Sequence, residues 1–399
     1  MSSGSSLPPF PFDTPEPLDH EPEHARLRAV GPLARVRLDD GTAVWVAARR
    51  DAVRAILTDP RFSRAEASRP GAPSLTPGIT NLPGVMTNMD PPEHTRLRRL
   101  VAGAFTTRMM EQRRPRVREI VDGLLDAIAE HGPPADLVAE LALPLPITVL
   151  CDLLGMPYEE VSEVRRWSEV SQSVGTYPAE EVTAAFGAIA GHVSTLIARK
   201  RAHPGDDLMT RLIEAREQDD RLSEQELLMT AVGLIVAGHE TTASQIPVSL
   251  LALFHHPDQL ALLRARPELV AGAVEELLRY ARLMTSAFGR MATSDVAVDG
   301  VTVPAGDTVF AVPAAANRDE RAYADPDLLD ITREGPPNVT FGLGPHLCIG
   351  APLARVELQE ALAGVLRRFP DVRLAVPESE LVWKRGNLIR GVRSLPVAW

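Results

Sequence analysis

The stretch Phe341-Gly-Leu-Gly-Pro-His-Leu-Cys-Ile-Gly350, with Ala351-Pro-Leu-Ala-Arg355 directly behind it, decides how this chain is read. Two glycines precede Cys348 and one follows it, so the backbone can turn tightly and come close to a flat ligand. The helix that begins just after it turns its N-terminal amides and positive dipole end toward the sulfur. Those features favour a thiolate over a thiol. A thiolate held this way binds a metal or attacks a substrate, whereas a cysteine without such a setting is a small buried hydrophobe.

Two further chemistries are disfavoured. Gly342-x-Gly344 lacks the third glycine of a dinucleotide fingerprint, and no strand of a βαβ unit precedes it. His346 and Cys348 stand two apart in a tight loop and need not face each other, and no third group to orient a base is evident. The ten residues resemble the haem-binding signature of the cytochromes P450, the haem-thiolate monooxygenases. Phe341, Gly342, Gly344, His346, Cys348 and Gly350 match all of its fixed positions. The resemblance implies that Cys348 is the iron ligand, that His346 meets a haem propionate, and that Phe341 and Gly350 belong to the cofactor-binding loop.

Composition fits a globular chain. Of 399 residues 45% are hydrophobic and 24% charged, enough to bury a sizeable core. Forty-two basic against 53 acidic residues leave a net charge of −11, which disfavours a nucleic-acid binder. Cys151 and Cys348 lie too far apart for a disulfide framework or a cysteine-rich zinc site, and suit a reducing compartment. Residues 1–30 are polar and proline-rich without the order of a secretory signal. No run of ~18 uninterrupted apolar residues marks a membrane span. A cytoplasmic protein is expected. His20-Glu-Pro-Glu-His24 spells a zinc-protease pattern, but Pro22 removes a hydrogen bond from the turn that must align both histidines.

Along the chain, Leu33–Val46 reads as a hairpin around Asp39-Asp40-Gly41, followed by a helix near Asp51–Leu57. Residues 64–84, rich in proline and glycine, read as a long loop. Helical pattern runs from Pro91 to about Lys200, from Ser223 to about His256 and from Pro267 to Tyr280. Val296–Val303 and Thr308–Val312 read as short strands around a Pro304-Ala305-Gly306 turn, and a last helix covers about Ala351–Arg368. Cys151 reads as core packing and His255-His256 as a helix end before Pro257. Helical middle and strand-bearing ends suggest one mixed domain.

Further motifs stand in the order the family requires. Glu276-Leu-Leu-Arg279 puts an acid and a base on one helix face. It resembles the family's buried Glu-x-x-Arg pair, whose implied role is structural. The helix around Ala231–Phe254 is apolar on nearly every face yet carries Ala237-Gly-His-Glu-Thr-Thr242, a polar cluster that needs partners. Gly238 leaves room for a bound molecule, and a threonine hydroxyl can bond the preceding turn. The cluster resembles the family's motif over the distal haem face, which implies that Glu240 and Thr241 relay protons. Met89-Asp-Pro-Pro-Glu-His-Thr-Arg98 opens a helix with Asp90 as candidate cap and with His94 and Arg98 on one face. It resembles the propionate-binding helix, and Arg290 resembles a further propionate arginine.

The resemblance covers essentially the whole chain. It implies a mainly α fold with small β-sheets, a single triangular-prism-like domain over residues 1–399. It further implies haem b, dioxygen as co-substrate, and electrons from NAD(P)H through a ferredoxin and its reductase. Arg96, Arg99, Arg108, Arg113 and Arg114 offer a local basic docking face despite the net charge. Met86, Asn88, Ala237, Met284, Thr285, Ser286, Phe288, Asn387, Leu388 and Ile389 are the candidate pocket residues. They suit a polyketide, macrolide, terpenoid or modified peptide that is hydroxylated or epoxidised. Oxidative aryl coupling is the alternative within the fold. A haem sensor or electron carrier is the alternative outside it, and an intact relay argues against that.

Overall fold

The computed structural model describes residues 7–12, 18, 22–75, 84–171, 177–217, 222–284, 286–384 and 389–399. Its helices are α1 (Pro22–Val30), α2 (Arg50–Thr58), α3 (Arg64–Ala67), α4 (Glu93–Ala102), α5 (Thr107–His131), α6 (Pro144–Leu154), α7 (Val161–Ser171), α8 (Ala179–Ala202), α9 (Leu208–Glu217), α10 (Glu224–His255), α11 (Pro257–Ala265), α12 (Val270–Tyr280), α13 (Pro313–Ala316) and α14 (Ala351–Arg368). The strands are β1 (Leu33–Arg37), β2 (Ala43–Ala47), β3 (Phe62–Ser63), β4 (Ala135–Asp136), β5 (Arg290–Ala292), β6 (Val296–Val298), β7 (Val301–Val303), β8 (Thr308–Ala311), β9 (Arg373–Leu374) and β10 (Pro396–Ala398). A mainly α chain with small sheets is the expected class.

Helix α10 is the axis of the molecule. Ser223 starts it with a capping box: its hydroxyl accepts from the Glu226 N–H at 3.1 Å, and the Glu226 carboxylate accepts from the Ser223 N–H at 2.8 Å. From Ala243 to Leu253 every residue is buried. Helix α6 packs alongside it, and α14 contacts both α10 and α5. The α5–α14 crossing is close because Gly364 has no side chain: a Cβ there would sit 2.7 Å from Val121 Cγ1. That crossing anchors the helix that begins directly after the cysteine loop.

The five-stranded sheet has the order β1-β2-β8-β5-β3, with β2 and β8 parallel and the other neighbours antiparallel. Val36 and Val44 point into its core, as the alternation predicts. Val296–Val303 differs from expectation. It is itself a hairpin, β6 on β7, turned by Asp299 and Gly300 at positive φ, and β8 joins the large sheet instead. Asp-Gly between apolar residues is the turn signal that carries this.

Two expectations about the chain's surface are amended. The N-terminal segment is tied down by Phe10 and Phe12, both buried, with Phe10 against Phe310. Residues 180–202 of α8 are long and apolar enough, by length and composition, to cross a membrane. In this fold that helix buries Ala185, Ile189, Val193, Leu196 and Ile197 against α7, α9 and α10. His20 lies outside the described residues. His24 sits on α1 with its ring on Phe12, and no cluster of three or more potential metal ligands exists among the described residues.

Candidate haem site

The cysteine loop closes on itself through the Cys348 N–H, which donates to the Phe341 carbonyl at 2.8 Å. Gly342 and Gly344 lie at φ +73° and +70°, the left-handed region where a side chain is strained. Gly344 also rests on the end of α2, where a Cβ would stand 2.7 Å from the Leu57 carbonyl. Cys348 is solvent-accessible, yet surrounding protein atoms dominate its ionisation. Burial pushes the thiol up; the Gly350 and Ala351 amides and the Arg98 and Arg355 charges pull it back without overcoming that. The helix terminus alone does not offset that burial. A cation bonded to it would.

Around the loop, basic groups converge. His94, buried on α4, lays its ring 4.2 Å from that of His346, and its Nδ1 is buried with no partner among the described residues. Arg98, one turn on, donates to the Leu347 carbonyl at 2.6 Å. Arg290, buried at the start of β5, reaches the Phe62 carbonyl at 3.3 Å and leaves its Nε unpartnered among the described residues. Arg64 joins them from α3, donating to the Gly289 carbonyl, to the Thr87 carbonyl at 3.0 Å and to Asn88 Oδ1 at 3.0 Å.

These cations repel one another. Burial, then Arg290, brings Arg64 down to about 9, and burial brings Arg290 down to about 10. His346 is driven far below the usual imidazole range by burial and then by Arg290, His94, Arg64 and Arg98. Burial also lowers His94 and Arg98. The nearby carboxylate, Asp90, is committed elsewhere: it accepts from Ser63 Oγ and from the Arg64 N–H at 2.8 Å, capping α3 and not its own helix as the sequence suggests. Such a cluster is relieved by a bound dianion. A flat group with two carboxylates, facing a cysteine sulfur, fits these residues.

Helix α10 packs against α14, the helix that follows the cysteine loop. Ala237 is exposed on a helix otherwise mostly buried, and Thr241, one turn on, is half-buried, so this face of the helix is not covered by packing. Thr241 Oγ1 donates to the Ala237 carbonyl at 3.0 Å, the expected bond to the preceding turn, while the helix stays continuous. Glu240 departs from expectation. Adjacent helix positions diverge by about 100°, and Glu240 is buried on another side, paired with Lys384 and accepting from Ser244 Oγ at 3.2 Å. Acid and hydroxyl are neighbours in sequence but not in contact.

The cytochrome P450 family model matches residues 185–380. The chain is 48% identical to nocardicin C N-oxygenase of Nocardia uniformis subsp. tsuyamanensis over 98% of both chains. It is 44% identical to mycinamicin IV hydroxylase/epoxidase of Micromonospora griseorubida, again over 98% of each. The chain is a cytochrome P450. The crystal structure of the LnmA cytochrome P450 hydroxylase from the leinamycin biosynthetic pathway of Streptomyces atroolivaceus superposes with a TM-score of 0.91 at 47% identity, covering 98% of this chain and 100% of that one. This P450 is accordingly a haem-dependent monooxygenase of the bacterial natural-product-tailoring type. It uses dioxygen and takes electrons from redox partners.

Behind the cofactor site of this P450, Glu276 and Arg279 form the buried pair the sequence suggests. Two bonds of 2.7 and 2.8 Å join them, and Arg279 also donates to the carbonyls of Asn317, Pro326 and Leu328. Arg333, which sequence reasoning missed, donates to Glu276 at 3.0 Å. Phe341 carries the Arg355 guanidinium 4.7 Å above its ring. Gly350 leaves space beside the sulfur, since a Cβ there would lie 3.9 Å from Sγ. Cys151 is core: burial pushes it up to about 12, and its sulfur contacts Met156.

Several candidate residues of this P450 serve other purposes. Gly238 faces Leu150 of α6, whose methyl would lie in ordinary contact, 3.4 Å, from a Cβ there. Ser286 and Ile389 are buried and present nothing to open space. Asn88 has its side-chain oxygen bound by Arg64. Met86, Met284 and Phe288 are half-buried, with Phe288 beneath Arg64 and Met284 bridged to Ile389. Thr285, Asn387 and Leu388 lie outside the described residues. On the expected docking face, Arg96 pairs with Glu226, and Arg114 with Glu111 and Glu360. Arg99, Arg108 and Arg113 keep no ion pair among the described residues.

Proposed function

We propose that this P450 hydroxylates or epoxidises a mid-sized natural product with a largely apolar body, a polyketide, macrolide, terpenoid or modified peptide. Cys348 would hold the iron, and His94, Arg98, Arg290 and His346 the two propionates. The observation that supports this reading is a solvent-accessible cysteine beside converging basic groups, with His94 Nδ1 and Arg290 Nε buried and unpartnered among the described residues. The haem, when bound, supplies the activation of dioxygen and its transfer to the substrate.

The chain's own residues do the rest. Thr241 places a hydroxyl on the open face of α10, where it holds and passes a proton, with Glu240 behind it as the source. Because the carboxylate faces Lys384, delivery requires a water or a turn of the Glu240 side chain. Ala237, Met86, Met284 and Phe288 supply apolar surface that excludes bulk water and orients the substrate. The electron donors are a ferredoxin and its reductase in the cytoplasm, docking on Arg99, Arg108 and Arg113.

Two experiments test this. Cys348→Ala should abolish the thiolate-type Soret band of the reduced, carbon-monoxide-treated protein; an unaltered band would assign the iron to another atom. Charge reversal at Arg99 and Arg113 should slow reduction by ferredoxin and leave reduction by dithionite unchanged. Equal ferredoxin rates would remove that face. Product analysis with ferredoxin, reductase and a metabolite extract identifies the substrate.

A further inference from the structure

Lys384 belongs to none of the motifs above, yet it supplies the counter-charge of Glu240. Its Nζ meets Glu240 Oε1 and lies 3.3 Å from Ser244 Oγ, which itself donates to the same carboxylate. The ion pair is secluded, with side-chain exposures of 10% for Lys384 and 5% for Glu240. The second carboxylate oxygen, Oε2, is buried without a partner among the described residues.

The lysine is firmly placed. Its N–H donates to the Gly391 carbonyl at 2.8 Å, and Trp383 bridges to Val392. Gly391 lies directly on α10: a Cβ there would stand 3.1 Å from Ser244 Cβ and Oγ. Just before Gly391, the Arg390 N–H donates to the Leu283 carbonyl at 2.7 Å and Ile389 bridges to Met284. Residues 389–392 therefore join Lys384, and the acid behind Thr241, to the candidate pocket segment at Met284.

A buried carboxylate with one bonded oxygen and one orphan has its cation as the single counter-charge, with the Ser244 hydroxyl as its other donor. Remove the cation and the cheapest state is the neutral acid, because an unpaired buried charge costs several kcal/mol while a proton removes it. A neutral buried carboxyl parts with its proton reluctantly and loses its fixed direction.

We propose that Lys384 is a positioning residue of the monooxygenase reaction, holding Glu240 as an oriented carboxylate behind Thr241. The proposal rests on the reading of Glu240 and Thr241 as the proton relay. The other charged or titratable groups near this part of α10 are His239, brought down to about 4 by burial, Arg165 on α7, and Glu357 on α14, which meets Thr242. Among the described residues none of these meets the Glu240 carboxylate in place of Lys384.

The experiment uses the haem-loaded enzyme with Lys384→Met, Lys384→Gln and Lys384→Arg. Infrared spectroscopy should show a new protonated-carboxyl band in the Met and Gln variants, lost again when Glu240→Gln is added. Product formed per reducing equivalent should fall about threefold or more in both, and Lys384→Arg should restore both readouts. No new band in either neutral variant overturns the proposal, and so does a band with coupling unchanged. If Met fails to load haem, the Gln variant, which keeps hydrogen-bonding capacity, carries the test. Thr241→Ala in the same assay separates the two readings: coupling unchanged there removes the relay itself. Uncoupling in Thr241→Ala with wild-type coupling in the Lys384 variants removes only the role of Lys384.

Discussion

The Arg98 guanidinium donates to the carbonyl of Leu347, at 2.6 Å, and so joins helix α4 to the residue immediately before the cysteine. Two parts of the chain nearly 250 positions apart thus share one clamp on the cofactor loop. A hydrogen bond from a charged group contributes about 1.5–3 kcal/mol. Arg98→Ala should speed transfer of haem to an excess of apomyoglobin by roughly 10- to 150-fold. Arg98→Lys should fall between, since it keeps the charge and loses the fork. A transfer rate equal to wild type in the alanine variant would show that the loop does not depend on this contact.

Glu276 and Arg279 are exposed by no more than 4%, so breaking the pair leaves a charge without water. Arg279 also carries three backbone carbonyls, and Glu276 accepts from Arg333 and the Asp330 N–H. Glu276→Gln should cost about 3–5 kcal/mol, read as a lower guanidinium midpoint with an unchanged slope. Arg279→Lys should not rescue, because one ammonium cannot reproduce the fork and the carbonyl contacts together. A lysine variant within about 1 kcal/mol of wild type would contradict that reasoning.

What the sequence makes legible here is local. The cysteine loop needs glycine at two positive-φ positions within ten residues, and Ser223 with Glu226 needs only a three-residue spacing. Glu276 and Arg279 likewise meet across one turn. Contacts set by packing leave no such trace. Arg64 is an arginine in an ordinary Phe-Ser-Arg stretch, and its convergence with Arg290 depends on β3 pairing with β5. Gly238 reads as ligand space until Leu150 is found against it, and Glu240 reads as a partner of Thr241 until Lys384 arrives from the far end of the chain. Asp90 has the right chemistry for a cap, but the helix it caps is the one before it.

Thr241 combines a hydroxyl bonded to its own helix with a half-buried place on a face not covered by packing, the combination a proton carrier needs. Thr241→Ala keeps the substrate surface nearly the same and removes the only atom able to hold that proton at this position. Product should fall by about tenfold or more while reducing equivalents are still consumed and appear as hydrogen peroxide. Thr241→Ser, which keeps the hydroxyl, should recover most of the coupling. Substrate-induced spectral shifts should be unchanged in both, which separates proton supply from binding.

Glu357 on α14 is fully enclosed, and Thr242 is its one hydrogen-bond partner acting on its ionisation; burial pushes its carboxyl from the ordinary 4.5 up to about 8. Between those values the folded protein holds a proton that the unfolded chain releases. Stability attributable to this group is therefore greatest below pH 4.5 and declines as pH rises from there toward 8. Glu357→Gln has nearly the same shape and no charge to bury. It should match wild type near pH 4 and exceed it at pH 8 by an amount on the order of a few kcal/mol. Guanidinium melts across that range measure the difference directly. A gap that is constant with pH would mean that Glu357 is already ionised in the folded protein, with a counter-charge that the packing of α14 against α10 does not provide.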